Sequence, residues 1–477
     1  MIPDWCNVGQ MTIDTLADDV LLYVFDFYLA ETSDVEAWHT LAHVCQRWRI
    51  LVFRSPRRLN LRIACTDETQ VREKLDVWPA LPIVISGKYN SQTCHDNIIA
   101  ILEHHDRVCQ IELSLMWEFE DIFEALEEPF PELTVLKLHS TQTLDPILSY
   151  SGQHLGGTTH LRSLSLTCIP IFGLQNLLLS STDLVDLRLM EIPISVFNSP
   201  DEMVTALSAL TRLQILHLGP EFDEFHPDWE NRRLPLPTRT VLPSLIELKF
   251  EGVIEYLDDF MARIDTPLLD HLDIVVSFHL NRVIVLNAPQ ILRFISHIPK
   301  FQEALSEAHI GIDSNKFKIW INFFSTRTSS YALKLKILCI EPERQFPLLA
   351  QFCRSPFFPF PTLEYLYIDG GTYSRQRWRE NTENTGWLEL LQPFSSAKNL
   401  YLTKNFALRI APALEELGGE MVTEVLPALE NVFIEKFQLY GPVYKTFRNF
   451  AATRQLSSHP IVISDWDRTG REVDIDD

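Results

Sequence analysis

Five stretches of the chain repeat one apolar pattern: L-T-V-L-K-L at 133–138, L-R-S-L-S-L at 161–166, L-V-D-L-R-L at 184–189, L-Q-I-L-H-L at 213–218 and L-E-Y-L-Y-I at 363–368. Further copies begin at Val108, Leu245, Leu269, Leu335 and Leu429, and degraded copies begin at Glu307 and Ala397. The residue two positions before the first Leu is Pro at 131, 243, 267, 361 and 427, and Thr at 159, 182 and 211. Because Pro cannot donate into a sheet, it is suited to the entrance of a strand. Each copy therefore predicts one short strand.

The copies follow one another at intervals of 23 to 38 residues. In the copy at 133–138, alternation predicts that Leu136 and Leu138 point inward, while Val135, Lys137 and His139 line an exposed concave face. One such unit cannot bury its apolar side alone, but stacked units can. We expect an α/β fold, an irregular solenoid of leucine-rich-repeat type with short parallel strands. It would span residues 61–477, with clear repeat strands at about 108–435.

Composition narrows the possible functions. The 477 residues are 46% hydrophobic and 22% charged, which is typical of a folded protein with a large core. The formal net charge of −23 disfavours binding to nucleic acid, because phosphates would be repelled. We find no apolar run of about 18 residues, no secretory signal and no C-x-x-C pair among eight cysteines. The sequence predicts a cytoplasmic or nuclear protein that binds no membrane.

The segment at about 12–55 differs from the repeats. Leu16, Val20, Leu21, Val24, Phe25 and Tyr28 follow the spacing of one helix face, and Asp18 and Asp19 would lie in its first turn. Two more apolar stripes follow, one through Leu41 and Val44 and one through Trp48. Three short helices bury little surface alone. They are either a helical cap on the solenoid or a docking module that completes its core on a partner.

This segment resembles an F-box, in its Asp-Asp-Val-Leu-Leu-x-x-Phe run at 18–25 and its Val-Cys-x-x-Trp run at 44–48. It departs from the family at Ala17, where the family usually has Pro. With degenerate repeats behind it, the chain resembles the expanded F-box families of mushroom-forming fungi. The resemblance implies an F-box at 1–60 that docks on the adaptor subunit of an SCF-type cullin–RING ubiquitin ligase. The implied adaptor-binding residues are Leu16, Val20, Leu21, Val24, Phe25, Leu41, Val44 and Trp48.

No pattern in the chain indicates catalysis. We find no G-x-x-x-x-G-K-[ST], G-x-G-x-x-G, G-x-S-x-G or H-E-x-x-H motif. A cluster at 94–109 contains Cys94, His95, His104, His105 and Cys109, but its spacing fits no standard zinc site. We therefore expect no enzyme activity, no cofactor and no metal.

The C-terminal strands contain the strongest candidate for substrate binding. If the strand register is correct, their concave face exposes aromatic rings with carboxylates beside them. Aromatic side chains are good anchors for a partner, and acidic neighbours would suit a basic ligand. The alternative is that irregular segments cover these rings as core. The candidate residues are Tyr365, Tyr367, Asp369, Tyr401, Phe433 and Glu435.

Three functions remain open at this point. The first is a substrate-recognition subunit of an SCF-type ligase, with the adaptor and through it a cullin as partners, and an unidentified protein as substrate. The second is a repeat scaffold that serves no ligase. The third, an enzyme within the repeat region, lacks any catalytic signature.

Overall fold

The structure is a computed structural model. It describes residues 13–31, 37–54, 61–77, 81–88, 91–116, 120–140, 150–151, 160–169, 171–172, 174–193, 199–221, 239–278, 288–302, 305–313, 318–325, 331–339, 342–354, 362–370, 384–417, 424–437 and 440–466. The chain forms two compact units, Met1–Leu184 and Val185–Asp477.

The first unit begins with helices and continues as a parallel sheet. After a 3-10 turn at Ile13–Thr15, its helices are α1 (Asp18–Glu31), α2 (Ala37–Val44), α3 (Gln46–Arg54), α4 (Val71–Val77), α5 (Gln92–Leu102), α6 (Glu120–Ala125) and α7 (Leu174–Ser180). Its strands are β1 (Leu61–Cys65), β2 (Ile83–Lys88), β3 (Val108–Leu115), β4 (Val135–Ser140), β5 (Tyr150–Ser151), β6 (Ser163–Thr167) and β7 (Ile171–Phe172). Strands β1, β2, β3, β4 and β6 are parallel neighbours in that order, and β5 pairs separately with β7.

The second unit is a longer array of the same kind. Its helices are α8 (Pro200–Leu207), α9 (Ile254–Met261), α10 (Pro289–His297), α11 (Pro299–Gln302), α12 (Pro342–Cys353), α13 (Asn384–Leu391), α14 (Lys404–Glu415) and α15 (Pro442–Leu456). Its strands are β8 (Asp186–Pro193), β9 (Ile215–Glu221), β10 (Thr240–Val241), β11 (Glu247–Gly252), β12 (Ile264–Asp265), β13 (His271–Phe278), β14 (Leu305–Asp313), β15 (Lys318–Ser325), β16 (Tyr331–Cys339), β17 (Tyr365–Gly370), β18 (Asn399–Leu402), β19 (Asn431–Glu435) and β20 (Val462–Trp466). The order in its main sheet is β8-β9-β11-β13-β16-β15-β14-β17-β18-β19-β20, and β10 pairs with β12.

The first Leu of the repeat closes a tight turn before the strand. Its backbone N–H donates to the carbonyl oxygen three residues earlier at Leu133, Leu184, Leu213, Leu245, Leu269 and Leu429. The Pro or Thr of the pattern thus occupies the second position of a four-residue turn, where the fixed φ of Pro is favourable. Pro361 and Thr159 lie outside the described residues. The expected role of Pro at the strand entrance is confirmed, and its cause is this turn.

The next two apolar positions of each copy point into the core. In β4, Leu136 and Leu138 are buried, while Lys137 and His139 are exposed and Val135 is half-buried, as predicted. The same alternation recurs in β11, β18 and β19. We call the side of each sheet that carries these alternate, half-buried or exposed side chains the open face. The predicted α/β architecture of stacked leucine-rich-repeat-like units is confirmed.

One part of the second sheet departs from a parallel array. Strands β14, β15 and β16 form an antiparallel meander, so that β16 lies beside β13 and β14 lies beside β17. The expectation of parallel strands throughout is therefore wrong for β15. The predicted register at Leu335 is also wrong, because β16 buries Leu333, Leu335 and Ile337 while Leu338 is half-buried. Leu333 aligns with Leu272 of the preceding repeat.

Strands also extend the array beyond the range of clear copies. Strands β1 and β2 precede Val108, and β20 pairs with β19 near the C-terminus. The degraded copies at Glu307 and Ala397 lie at β14 and just before β18, so both copies mark real strands. Neither β1 (L-R-I-A-C) nor β20 (V-I-S-D-W) contains the Leu-x-x-Leu-x-Leu spacing, so the leucine motif did not predict these two strands.

Candidate functional site

Helix α1 has two apolar stripes that serve different purposes. Leu21 and Phe25 are buried, whereas Val20 and Val24 are each 42% exposed. Successive residues of a helix are about 100° apart, so positions 20 and 24 form a stripe beside positions 21 and 25. The single face predicted from the sequence is thus divided into a core stripe and an outer stripe.

The core stripe packs on the other two helices. The rings of Phe25 and Trp48 have centroids 4.7 Å apart with an interplanar angle of 59°. Leu41 is buried as well. Arg47 donates to the Asp18 carboxylate at 2.5 Å and to the Leu16 carbonyl at 2.6 Å, which joins α3 to the start of α1.

Cys45 explains the Val-Cys-x-x-Trp spacing. It lies between α2 and α3, and its Sγ accepts the backbone N–H of Trp48 at 3.4 Å. Its carbonyl accepts the N–H of Arg49 at 3.0 Å. Cys45 therefore caps the N-terminus of α3, since the first N–H groups of a helix need acceptors from outside it.

The outer side of the three helices is unusually apolar. Seventeen large apolar residues in the described part of the chain are exposed, and nine of them lie within 13–54. These nine are Ile13, Val20, Tyr23, Val24, Phe27, Tyr28, Val44, Ile50 and Phe53. We call this set the N-terminal apolar surface. Five of the nine, on α1, follow one face of that helix, and contiguous exposed apolar patches are typical of protein–protein contacts.

The eight predicted adaptor-binding residues divide between this surface and the core beneath it. Val20, Val24 and Val44 belong to the surface. Leu16 is half-buried. The other four can influence a partner only by holding the helices together. They are Leu21, Phe25, Leu41 and Trp48. The motif did not reveal Phe27, which is 70% exposed.

A second candidate surface lies on the open face near the C-terminus. His309, Tyr367, Tyr401 and Phe433 occupy one row across β14, β17, β18 and β19. The ring centroids of Tyr367 and Tyr401 are 4.3 Å apart, and those of Tyr401 and Phe433 are 4.5 Å apart, with nearly parallel planes. His309 lies 4.3 Å from Tyr367 on the other side. Three of the four predicted rings, those of Tyr367, Tyr401 and Phe433, are therefore brought together with His309 as one stack, the aromatic row.

Trp466 completes this surface and was missed by sequence reasoning. Its ring lies 5.4 Å from Tyr401 at 71° and 6.0 Å from Tyr367. With Trp466 and His309 around it, Tyr367 is only 5% exposed, so it supports its neighbours more than it faces solvent. Tyr401, Phe433 and Trp466 remain half-buried. Alternation within β20 would have found Trp466, had the last strand been recognised.

The predicted polar neighbours have different roles. Glu435 accepts the backbone N–H of Lys404 at 3.3 Å, so its carboxylate is engaged with the first residue of α14. Asp369 is half-buried two residues beyond Tyr367 on the same strand. Tyr365 is half-buried on β17 and aligns with Asn399 rather than with the aromatic row.

The polar part of the same row lies on the earlier strands of the second unit. Arg188, His217, Lys249 and Asp273 occupy consecutive positions on β8, β9, β11 and β13. His217 Nε2 lies 2.7 Å from Glu247 Oε1, and burial is the main cause that lowers the His217 pKa. Burial likewise raises the pKa of Asp273, against the opposing effect of Lys334 and Lys249.

Among the described residues, no three His, Cys, Asp or Glu side chains are grouped so that they could hold a metal ion. His105 of the 94–109 cluster contacts the Pro129 carbonyl at 3.0 Å instead. Burial raises the pKa of Cys65 to about 12 and that of Cys109 to about 11, so both thiols stay protonated and weakly nucleophilic at neutral pH.

No family model and no curated protein matches the chain. It is similar to the leucine-rich-repeat-containing protein LegL7 from Legionella pneumophila, with 11% identity, 83% of this chain and 98% of that chain covered, and a TM-score of 0.26. The whole chains do not superpose at that score, so the fold assignment rests on strand register and burial. By these features the chain is an α/β protein of leucine-rich-repeat-like units. No described helix has both the length and the apolar character needed to cross a membrane.

Proposed function

We propose that this chain is the substrate-recognition subunit of an SCF-type cullin–RING ubiquitin ligase. In this proposal α1–α3 are an F-box that binds the adaptor subunit and through it a cullin. The open face of the repeat region binds the protein substrate. The observation that supports the proposal best is the N-terminal apolar surface, combined with the F-box sequence pattern that produces it.

The apolar surface favours a docking role over a simple cap. A cap would bury its apolar side chains against the repeats, and Leu21, Phe25 and Trp48 already form a small core of their own. Val24 and Phe27, at 42% and 70% exposure, add nothing to that core. Covering such side chains with a partner would contribute roughly 25 cal/mol per Å² of apolar surface.

The aromatic row is the proposed substrate-binding part of the open face. Tyr401, Phe433 and Trp466 offer ring edges and faces that are partly accessible, on a rigid sheet. Asp369, two residues beyond Tyr367 on β17, would favour a basic group on that part of the substrate. Tyr365, Tyr367 and Glu435 would act by supporting this surface.

The adaptor contact is tested by co-expressing the full chain with the SCF adaptor subunit and analysing the product by size-exclusion chromatography. A one-to-one complex is expected. The double variant Val24→Asp, Phe27→Asp should abolish it, because both side chains are exposed and their replacement leaves the core intact.

A matched control separates this effect from a general loss of apolar surface. Leu408 and Leu456, at 49% and 88% exposure, lie on α14 and α15. The variant Leu408→Asp, Leu456→Asp should keep the complex. Loss of the complex in both double variants, or in neither, would reject the N-terminal apolar surface as the adaptor contact.

The alternative function is a repeat scaffold that serves no ligase. The observation that favours it is Ala17 at the position where F-boxes usually have Pro. Ala17 precedes α1, and its carbonyl accepts the N–H of Leu21 at 3.0 Å. A wild-type chain that stays monomeric beside the adaptor, while an Ala17→Pro variant binds it, would indicate an F-box that has lost its function.

A further inference from the structure

The central strands of the second sheet concentrate positive charge on the open face. Four of the thirteen lysines of the chain lie there, although the formal net charge of the whole chain is −23. They belong to β11, β16 and β15, which together with β13 form the consecutive strands β11-β13-β16-β15, and all are half-buried. They are Lys249, Lys318, Lys334 and Lys336. We call these lysines, with Asp273 and Asn322 between them, the lysine site.

The register places acceptors between the lysines. Asp273 lies between Lys249 on β11 and Lys334 on β16, and Lys334 lies between Asp273 and Asn322 on β15. Neighbouring strands are about 4.8 Å apart, so Asp273 and Asn322 are roughly 10 Å apart across β16. An extended peptide crossing the strands covers that span in about three residues.

The two acceptors are incompletely satisfied. The Oδ1 atoms of Asp273 and Asn322 are buried and have no hydrogen-bond partner within the part of the chain that the structure describes. Buried polar atoms in native proteins are nearly always paired. Both oxygens are sealed from solvent, so they mark unmade hydrogen bonds beneath the lysines and not contacts for a bound chain.

Three of the four lysines are short of counter-charges. Lys249, Lys334 and Lys336 form no ion pair with a carboxylate among the described residues. The Lys334 ammonium lies 5.2 Å from the Tyr331 ring centroid instead. Burial lowers the pKa of Lys336, and repulsion from Lys318 lowers it further. An anion placed among these lysines would relieve that repulsion.

The nearby carboxylates do not cancel this charge. Glu247 is turned to His217, at 2.7 Å from its Nε2. The Glu251 carboxylate on β11 raises the pKa of Lys336, which favours the charged ammonium. Glu251 and Asp273 thus face four lysines, and burial disfavours the charged form of Asp273.

We propose that the lysine site binds an acidic segment of a partner protein in extended conformation. Carboxylates of the segment would contact Lys249, Lys334 and Lys336, whose strands β11 and β16 lie on either side of β13. The inference rests on the proposed function only in identifying that partner as the ligase substrate.

The proposal is tested with the full chain by fluorescence anisotropy, with fluorescein-labelled hexaglutamate and hexalysine as probes. Hexaglutamate should bind, and added salt should weaken the binding. The variant Lys334→Gln, Lys336→Gln should weaken it about tenfold or more. Asp273→Asn should tighten it, because the variant keeps an acceptor and removes a negative charge from among the lysines.

The matched control is Lys404→Gln, Lys445→Gln, which removes the same charge from exposed positions on α14 and α15. It should change the affinity less than about twofold. Equal weakening by both double variants, preference of the wild type for hexalysine, or no binding of hexaglutamate would overturn the proposal. Urea midpoints of the variants confirm that each is folded.

Adaptor capture by the same proteins keeps the two proposals separate. Lys334→Gln, Lys336→Gln should leave the adaptor complex unchanged. Hexaglutamate binding without adaptor capture would remove the ligase role and retain the lysine site. Adaptor capture without hexaglutamate binding would do the reverse.

Discussion

Phe25 of α1 packs on Trp48 of α3 with ring centroids 4.7 Å apart, and this contact joins the run at 18–25 to the run at 44–48. Phe25 is 3% exposed and Trp48 is 9% exposed. The contact holds the helices in the arrangement that exposes Val20, Val24 and Phe27 on their outer side. Core and surface of this segment are therefore mutually dependent.

The first prediction concerns this core. Phe25→Ala should destabilise the three helices by about 3–5 kcal/mol, because it leaves a cavity against Trp48. Limited proteolysis should then cleave within residues 13–54 much faster than in the wild type. Val24→Asp should leave the cleavage rate unchanged, and equal sensitivity of both variants would show that the outer stripe is also core.

The second prediction concerns the aromatic row. Tyr401 stacks on Tyr367 on one side and on Phe433 on the other, at 4.3 and 4.5 Å. Tyr401→Ala should lower the free energy of unfolding by about 1–3 kcal/mol, since it removes two ring pairs. Urea denaturation measures the loss. Tyr365→Ala on β17, which lies outside the row, should cost less, and a larger effect there would contradict the stacking account.

The third prediction concerns a buried arginine. Arg454 is 0% exposed, and its guanidinium donates to the carbonyls of Leu426, Pro427 and Leu429 at 3.2 Å each. These residues form the turn before β19, so Arg454 attaches α15 to that turn. Arg454→Met should lower stability by about 3 kcal/mol or more, because several buried carbonyls lose their donor.

Lysine at the same position is the informative control. Its single ammonium cannot reproduce the planar fork that reaches several carbonyls at once. Arg454→Lys should therefore recover only part of the loss when the urea midpoints are compared. Full recovery would show that charge, not geometry, matters at this position.

The fourth prediction concerns a close approach in the meander. Gly311 on β14 pairs with Trp320 on β15, and the indole lies where a Cβ of residue 311 would be. Gly311→Ala should displace the ring and shift the tryptophan fluorescence. In a double-mutant cycle, Trp320→Ala should remove most of the destabilisation caused by Gly311→Ala, with a coupling of about 1 kcal/mol or more. Additive effects would contradict the contact.

The fifth prediction concerns the pH dependence of stability. Burial raises the pKa of Asp273 in the folded chain, so the folded state retains this proton at pH values where the unfolded chain has lost it. Its contribution to stability therefore decreases as the pH rises from the unfolded value of about 3.9 through the folded value. Asp273→Asn should be more stable than the wild type at pH 7. The difference should shrink below about pH 4, and a constant difference would rule out this linkage.

Local pattern predicted most of the repeat strands. The Leu-x-x-Leu-x-Leu spacing located β4, β6, β8, β9, β11 and β13. Each copy consists of one turn followed by one strand in which buried and open-face side chains alternate. It failed at Leu335 because Leu335, Leu338 and Ile340 satisfy the pattern, whereas the register that aligns Leu333 with Leu272 has Ser330 in place of the first Leu. The antiparallel partner β15 selects the register that buries Leu333, Leu335 and Ile337.

The candidate binding surfaces were predicted only in part, because a local pattern shows which side chains share a face but not what packs against that face. Alternation placed Tyr367, Tyr401 and Phe433 on one side of their strands, but it gave no account of what covers them. Trp466, from the last strand, leaves Tyr367 only 5% exposed. In α1, periodicity found one broad apolar face and could not divide it between core and surface. That division depends on where α2 and α3 lie.

The sequence by itself determined the repeated unit, a strand with two inward apolar residues that follows a Pro or Thr, and the presence of three N-terminal helices. These features depend on contacts within a few residues, which local pattern encodes. Only the tertiary structure decided the meander of β14–β16, the row formed by His309, Tyr367, Tyr401 and Phe433, and the grouping of lysines around Asp273. The row and the lysine grouping depend on which strands become neighbours, since they bring residues 24 to 61 positions apart side by side, and the meander depends on β16 joining β13 and β14 joining β17.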